Sequence, residues 1–363
     1  MSEWREVKLK DIVTFRVGRL DSNAMEEDGI YPFFTCAPKT YKINSYAFDT
    51  TAILLAGNNA TGIFPIKFYS GKFNCYQRTY VIEKISNSVA DLKPIFFAIK
   101  TQLDFLRNMS VGATTKFLTK GMLENLKINL PPLQTQQKIA KILSNYDDLI
   151  DNNLKHIKLL KESARLTYEE WFLRFRVEEK NLEIEPSNKL PFGWQYVLLT
   201  DYIDLVRGVE PGSADYDDIK TDQNIPFLRV GDLNKKNTNI YVSKNLVKNK
   251  IVNPNDILIS LDGTPGLVKF GLHGSYSTGI RKAIPKKKKI SSIFIFNLLN
   301  SQFIQKLIEA YASGTTILHA GSSVKKMKFI LPTDKVLDMY NNNEIKKFHL
   351  IINLLDKNKI LKE

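Results

Sequence analysis

Any fold for this chain must accommodate residues 131–176. The stretch opens PPLQTQQKIAKILSNYDDLIDNN, closes TYEEWFLRFR, and holds neither Gly nor Pro between Leu133 and Arg176. Apolar or near-apolar residues recur at Ile139, Ile142, Tyr146, Leu149, Asn153, Ile157, Leu160, Ala164, Thr167 and Trp171. Steps of three and four follow a heptad rather than the two-residue period of a strand. Pro131-Pro132 just ahead is a helix start signal. About 40 residues rising 1.5 Å each make a rod of roughly 60 Å. A rod of that length exceeds one ordinary domain, so it must pack on a partner helix and hold other parts of the protein apart. The expected seam is Ile139, Ile142, Tyr146, Leu149, Ile157, Leu160 and Trp171, met by Leu354 and Leu355 from the tail.

The remaining length, out of 363 residues, is enough for two or three domains with real cores. Charged and apolar fractions are those of a folded soluble protein. The two cysteines, Cys36 and Cys75, exclude a disulfide scaffold and an all-cysteine zinc site. The opening MSEWREVKLKDI lacks the apolar core of a signal peptide, and no run approaches a membrane span. The cytoplasm is the expected compartment, with no membrane partner.

The net charge of +14 is distributed unevenly. Residues 1–136 hold 17 Lys+Arg against 12 Asp+Glu, and residues 182–333 hold 20 against 13. The stretch 137–181 holds 9 against 8, and 334–363 holds 6 against 5. Two basic globular units flank a nearly neutral rod, which points to a polyanionic partner. Ordinary solubility charge also accounts for an excess of this kind.

The two units are copies. Trp4, Val7, Leu9, Asp11 and Gly18 are matched at a constant offset by Trp194, Val197, Leu199, Asp201 and Gly208. YPF at 31–33 answers IPF at 225–227, and AILLAGNNATG at 52–62 answers DILISLDGTPG at 256–266. SVGATT at 110–115 answers ASGTT at 312–316, and Leu130-Pro131 answers Leu331-Pro332. Matches in one unbroken order mark a tandem duplication.

Within each copy TAILLAG, TYVIEKI, DILISL and KFILP read as short strands. ADLKPIFFAIKTQLDFLRNM and SSIFIFNLLNSQFIQKLIEAY each read as an amphipathic helix. The polar, proline-punctuated segment after the rod is the natural linker. The expected class is α+β: a mixed unit 1–130, a helix 131–180, a linker 181–193, a second unit 194–333 and a shorter helix 334–363.

No catalytic motif is complete. Gly57–Gly62 starts like a phosphate-binding loop, but Ile63-Phe64 stand where Lys and Ser/Thr are needed. A strand-to-loop turn facing a ligand suits the neighbouring polar Asn58, Asn59 and Thr61, and a plain turn suits them equally. His156, His273, His319 and His349 lack metal-site spacing. Asp147, Asp148 and Asp151 read as a solvated helix face. PPL at 131–133 lacks the flanking residues of an adenine-methylating motif.

Binding chemistry remains. RKAIPKKKK at 281–289 places six cations in nine residues, and KKMK at 325–328 adds three. Such side chains suit phosphate contacts, and they also suit a solvated loop. Candidate readers on Gly-rich loops are Asn58, Asn59, Thr61, Gln77, Arg78, Thr114, Thr115 and Lys116 in the first copy. Arg207, Thr264, Arg281, Lys282, Thr315 and Thr316 are their counterparts in the second. Arg and Gln suit bidentate contacts to guanine and adenine edges. Thr114-Thr115-Lys116 faces Thr315-Thr316-Ile317, a divergence that predicts two different half-sites.

The repeat, the LPPL opening of the rod, the IAxIL…YDDLIDNN pattern, the closing YEEWF and the LPFGW restart together resemble the specificity subunit of type I restriction–modification systems. The resemblance covers essentially the whole chain. It implies two target recognition domains, each reading one half of a split double-stranded DNA site, and long helices paired as an antiparallel coiled coil. It implies two methylation subunits docked on those helices and motor-nuclease restriction subunits beyond them. S-adenosylmethionine, ATP and Mg would then belong to the partners and no cofactor to this chain, which would be non-catalytic. The tail ends at Glu363 without a YEEWF counterpart, and Trp4 lacks the LPFG that precedes Trp194. The alternatives are a specificity subunit of another restriction system, a self-sufficient methyltransferase or nuclease, and a purely structural scaffold. Missing motifs weigh against the enzymes, and two basic units weigh against the scaffold.

Overall fold

The computed structural model describes residues 4–60, 62–86, 90–234, 238, 240–247, 249–315 and 317–361. The chain is mixed α+β and divides into two compact units, Met1–Asp148 and Leu149–Glu363. Among the described residues no helix is long and apolar enough to cross a membrane.

In the first unit, strand Phe48–Ala56 lies inside a six-stranded sheet. The order is Val13–Val17, Thr79–Lys84, Phe48–Ala56, Ile66–Cys75, Tyr31–Phe34, Tyr41–Ile43. Its residues Ala52 to Ala56 are all buried because both faces are covered. Ile53 and Leu55 face a core shared with Ile95, Phe96 and Ile99 of helix Leu92–Thr101. Ala52 and Leu54 point the other way, into a cluster with Phe34, Phe73 and Val81. All neighbours in the sheet run antiparallel except Tyr31–Phe34, which is parallel to Ile66–Cys75.

The second unit repeats this order but breaks it into two four-stranded sheets. The counterpart of the long strand Ile66–Cys75 is two short ones, Val268–Lys269 and Gly274–Tyr276. Between them Gly271 takes φ +76, and a Cβ there would lie 2.5 Å from Leu355. Gly274 passes so close to the Pro226 carbonyl that a Cβ would lie 2.4 Å from its oxygen. The break turns Phe270 outward from the sheet onto Phe348, with ring centroids 4.7 Å apart.

Each run expected to be one amphipathic helix is two. Leu92–Thr101 is followed by Leu103–Met109, and Ser292–Asn300 by Gln302–Tyr311. The hinge residues explain it. Gln102 leaves helical geometry and donates its side-chain amide to the Lys127 carbonyl at 2.9 Å, while Ser301 is extended. Asp91 and Ser291 cap the two leading helices through their side chains.

The central helix spans Leu133–Phe172, 40 residues, and the C-terminal helix Asp334–Ile360 spans 27. Within the second unit the two pack antiparallel. Trp171 meets Tyr340 at 5.8 Å, Lys347 donates to Ser163 at 3.2 Å, and Asn153 donates to Asn358 at 2.8 Å. The number falls by 18 along one helix (171 to 153) as it rises by 18 along the other (340 to 358). Ile157, Ala164, Tyr168, Trp171 and Phe172 are buried on one side, and Leu337, Tyr340, Phe348, Ile351 and Leu354 on the other. Leu160 and Leu355 are half-buried against the same core.

The first part of the expected seam requires correction. Ile142, Tyr146 and Leu149 are 56%, 47% and 45% exposed, and Ile139 is only half-buried. The buried residues there are Gln136, Ala140 and Ser144. The Gln136 side chain is satisfied there: its carbonyl oxygen accepts from the Asp91 amide at 3.0 Å, and its amide donates to the Pro131 carbonyl at 2.8 Å. With Asn153 facing Asn358, the last residue of the C-terminal helix, Ile360, falls opposite Asp151, so this part of the apolar column lies beyond the reach of that helix.

The expected linker is itself folded. Arg176–Val177 and Lys180–Asn181 form a hairpin turned by Glu178 and Glu179, both at positive φ. Leu190 and Trp194 are buried, Trp194 against Phe172 and Phe175. Its repeat mate Trp4 is 57% exposed.

Two outcomes are expected from these contacts. Asn358→Leu strands the buried Asn153 amide and costs about 1–3 kcal/mol in urea unfolding; the double change with Asn153→Leu recovers most of it. Lys161 lies over the Phe270 and Phe296 rings. Burial, reinforced by the charge of Lys269, lowers its pKa from 10.5 to about 8. The unfolded chain then binds the extra proton between those values, so stability rises with pH from about 8 to 10.5. Lys161→Met should remove that rise in a pH series of thermal melts.

Candidate nucleic-acid interface

Each unit places the same small loop assembly at the end of its central strand. In the first, Asn58–Asn59 continues from the strand and pairs with Lys116–Phe117. The Leu118 amide donates to the Gly57 carbonyl at 2.8 Å, and the Tyr80 hydroxyl to the Leu118 carbonyl at 2.9 Å. In the second, Asp262–Gly263 pairs with Leu318–His319, and the Ala320 amide donates to the Leu261 carbonyl at 2.8 Å. Gly112 and Gly314 turn the returning loops at φ +110 and +126, where a Cβ would collide with the Thr115 and Ile317 carbonyls.

These pairings define which residues are equivalent. Asn58 matches Asp262, Lys116 matches Leu318 and Phe117 matches His319. Tyr80 and Val17 match Arg281 and Arg207, since each pair is directly opposed across the same two strands. Gly112 and Gly314 put Thr115 opposite Ile317, so the expected match of Lys116 with Ile317 is out by one residue. The shared frame is backbone, and the chemistry on it differs between copies.

In the first unit the assembly presents amides and cations. Asn58 and Asn59 are half-buried, Gln77 and Arg78 are exposed, Thr114 is exposed, and Thr115 and Lys116 are half-buried. The Arg78 carbonyl is held by the Gly57 amide at 2.7 Å and the Cys36 thiol at 3.4 Å, which fixes the backbone from which its guanidinium projects. Thr61 lies outside the described residues, as does Thr316 in the second unit. A residue not anticipated from sequence is Arg107, at the end of helix Leu103–Met109. A Cβ on Gly62 would lie 3.2 Å from its side chain and 3.4 Å from that of Lys116. Gly62, at positive φ and without a side chain, leaves room for this second cation beside the loop.

In the second unit several expected readers are engaged internally. Arg281, its side chain 12% exposed, pairs with Asp262 at 3.3 Å and donates to the Thr278 and Ile280 carbonyls. Lys282 pairs with Asp256 at 2.7 Å and donates to the Ile251 carbonyl at 3.1 Å. Both side chains thus also hold the loop and sheet in place. Lys286 and Lys289 pair with Asp204 and Asp334, so four of the six cations of the 281–289 run have acidic partners. Arg207 is exposed and donates its Nε to the Thr278 carbonyl at 3.3 Å; Thr264 and Thr315 are exposed. His319 stands alone in the sequence, yet its Nδ1 lies 2.8 Å from the Asp262 carboxylate. Glu210, also not anticipated, accepts from the Thr278 hydroxyl at 2.6 Å. Among the described residues no group of three or more His, Cys, Asp or Glu could hold a metal ion.

Comparison with known proteins accords with this duplicated architecture. A family profile described as "Type I restriction modification DNA specificity domain" matches residues 1–162 and 191–361, and the chain belongs to that family. It is 41% identical over 141 residues to the type I restriction enzyme EcoDI specificity subunit of Escherichia coli, covering 39% of this chain and 30% of that protein. It is 25% identical over 348 residues to the MjaVIII specificity subunit of Methanocaldococcus jannaschii, covering 86% and 78%. A crystal structure of the type I restriction–modification system S subunit from M. genitalium shares the fold, with TM-score 0.56, 16% identity and coverage of 98% and 96%.

The different roles of the two loop assemblies lead to different mutant behaviour. Asp262→Ala leaves Arg281 without its carboxylate and should cost about 1.5–3 kcal/mol in denaturant unfolding. Lys116→Ala should change stability by no more than about 0.5 kcal/mol and lower DNA affinity in an anisotropy titration.

Proposed function

We propose that this chain is the DNA-reading subunit of a type I restriction–modification complex, with each unit addressing one half of a split, asymmetric site. The observation that carries this reading is one backbone frame bearing two unlike sets of side chains. Asn58, Gln77, Arg78, Arg107 and Lys116 surround the loop of the first unit, while Arg207, Glu210, Asp262 and His319 surround that of the second. Amide and guanidinium groups recognise purine edges, and carboxylates accept from cytosine, so unlike sets select unlike half-sites.

The chain contributes no chemical step on this reading. Methylation subunits, two per complex, hold S-adenosylmethionine and methylate adenine, and motor-nuclease subunits use ATP and Mg. Exposed Leu159 and Leu166 lie seven residues apart on the central helix, with exposed Leu173 just past its end, and offer those partners an apolar stripe. The site of action is cytoplasmic DNA.

The test is a genome-wide map of methylated adenine with and without the gene. Deletion should erase a single split motif of unequal halves; a map that is unchanged while a methylation subunit co-purifies with the chain refutes the reading. Inserting one heptad after Asp148 adds about 10 Å of helix. The map of that variant should show the same half-sites with the gap lengthened by roughly three base pairs.

A further inference from the structure

The second unit carries a basic groove away from the loop assembly. Its floor is the strand pair Gln195–Leu198 and Lys328–Leu331, and its walls come from segment Gly321–Lys326 and the turn after strand Ile280–Pro285. Lys287, Lys325, Lys326 and Lys328 line it with Tyr196 and Tyr202, against one acid, Asp201. The neighbours Lys286 and Lys289 are tied to Asp204 and Asp334. None of the four lining lysines forms an ion pair among the described residues.

The internal duplication supplies a control within the molecule. The same strand pair in the first unit is Arg5–Lys8 with Lys127–Leu130. There Glu6 occupies the place of Tyr196, and Glu6 pairs with Lys127, the counterpart of Lys328, at 2.6 Å. The Leu9 and Leu199 amides donate to the Leu126 and Met327 carbonyls respectively, which puts Glu124 opposite Lys325 and Asn125 opposite Lys326. Glu124 in turn pairs with Lys120 at 3.4 Å. The Ile85 and Lys286 amides donate to the Ile12 and Tyr202 carbonyls, which puts Ser86 opposite Lys287. One copy therefore balances Arg5, Lys8 and Lys127 against Glu6, Asp11 and Glu124, whereas the other has Gln195 and Leu198 in place of the first two cations and sets Lys287, Lys325, Lys326 and Lys328 against Asp201 alone. Holding four unpaired ammonium groups together costs repulsion at low salt, which a bound polyanion relieves. The groove is open, with Tyr196 62% exposed, and so accepts an extended polymer.

We propose that this groove is a second DNA contact, a track for the phosphate backbone of a duplex that adds affinity without sequence information and exists only in the second unit. The inference rests on the DNA-reading function above. The lysines neutralise phosphates, and the Tyr196 hydroxyl donates to a phosphate oxygen.

The experiment is a salt titration of the full chain against two fluorescein-labelled duplexes, one carrying the mapped motif and one with that motif shuffled. The variant Lys287→Gln/Lys325→Gln/Lys326→Gln/Lys328→Gln should weaken both duplexes by the same factor. The slope of log affinity against log salt should become shallower by about 0.9 for each phosphate that is no longer neutralised. The four corresponding Lys→Arg changes should retain wild-type affinity and slope, and Lys127→Gln in the first unit should alter neither. Unchanged affinity and slope in the Gln variant would overturn the proposal. So would a weakening confined to the motif duplex, or equal weakening in the Gln and Arg variants. Unaltered DNA binding with loss of a co-purifying methylation subunit would make the groove a protein dock and equally overturn it. If the wild-type chain binds both duplexes alike, the reading function itself fails, while the slope comparison on the shuffled duplex still judges the groove.

Discussion

The second unit depends on the antiparallel contact between the last turns of the central helix and the start of the C-terminal helix. Tyr168, Trp171 and Phe172 close around Tyr340, with Phe172 and Tyr340 ring centroids 4.8 Å apart. Phe294 from the helical layer and Trp194, just ahead of strand Gln195–Leu198, join the same aromatic cluster. Helix pair, linker, sheet and helical layer thus share one core. Apolar packing of this kind tolerates sliding, and the buried polar groups oppose it. The Asn153–Asn358 hydrogen bond is satisfied in one register only, and Glu344, fully buried, accepts from Lys347, which also reaches Ser163 across the interface.

Duplication followed by divergence explains how one backbone serves two purposes. The loop assembly is held by main-chain hydrogen bonds and glycines that both copies retain. Its side chains are free to change because they do not carry the frame. Where a side chain has become part of the frame, as Arg281 has through Asp262, the corresponding place in the other copy is an uncharged Tyr80 bonded to a carbonyl. The groove on Lys328 shows the same freedom in a different surface: a change of charge on an exposed strand pair leaves the strand pairing untouched.

Much of the fold was legible. The heptad, the repeat and the strand runs all rest on local periodicity, which local backbone geometry obeys. The site was legible in outline, since the polar residues near Gly57, Gly112, Gly263 and Gly314 do gather at strand ends. Its membership was not. Arg107 lies in a helix and meets the loop only through the tertiary fold, its side chain packed where a Cβ on Gly62 would stand. His319 gains a carboxylate neighbour 57 residues away in the chain. The apolar column Ile142, Tyr146 and Leu149 satisfied the heptad yet stayed exposed, because the C-terminal helix ends at Ile360, opposite Asp151 in the register that Asn153 and Asn358 set.

The amino-acid sequence alone determined the α+β class, the long central helix, the tandem duplication and the concentration of positive charge in the two globular stretches. These follow from spacing, identity and charge along the chain. Tertiary structure alone decided which cations are available. Within RKAIPKKKK, Arg281, Lys282, Lys286 and Lys289 are claimed by Asp262, Asp256, Asp204 and Asp334, while Lys287 is left to line a groove with Lys325, Lys326 and Lys328. Those acids lie from 19 to 82 positions away along the chain. An ion pair forms over a few ångströms of space, and distances of that kind exist only once the chain has folded.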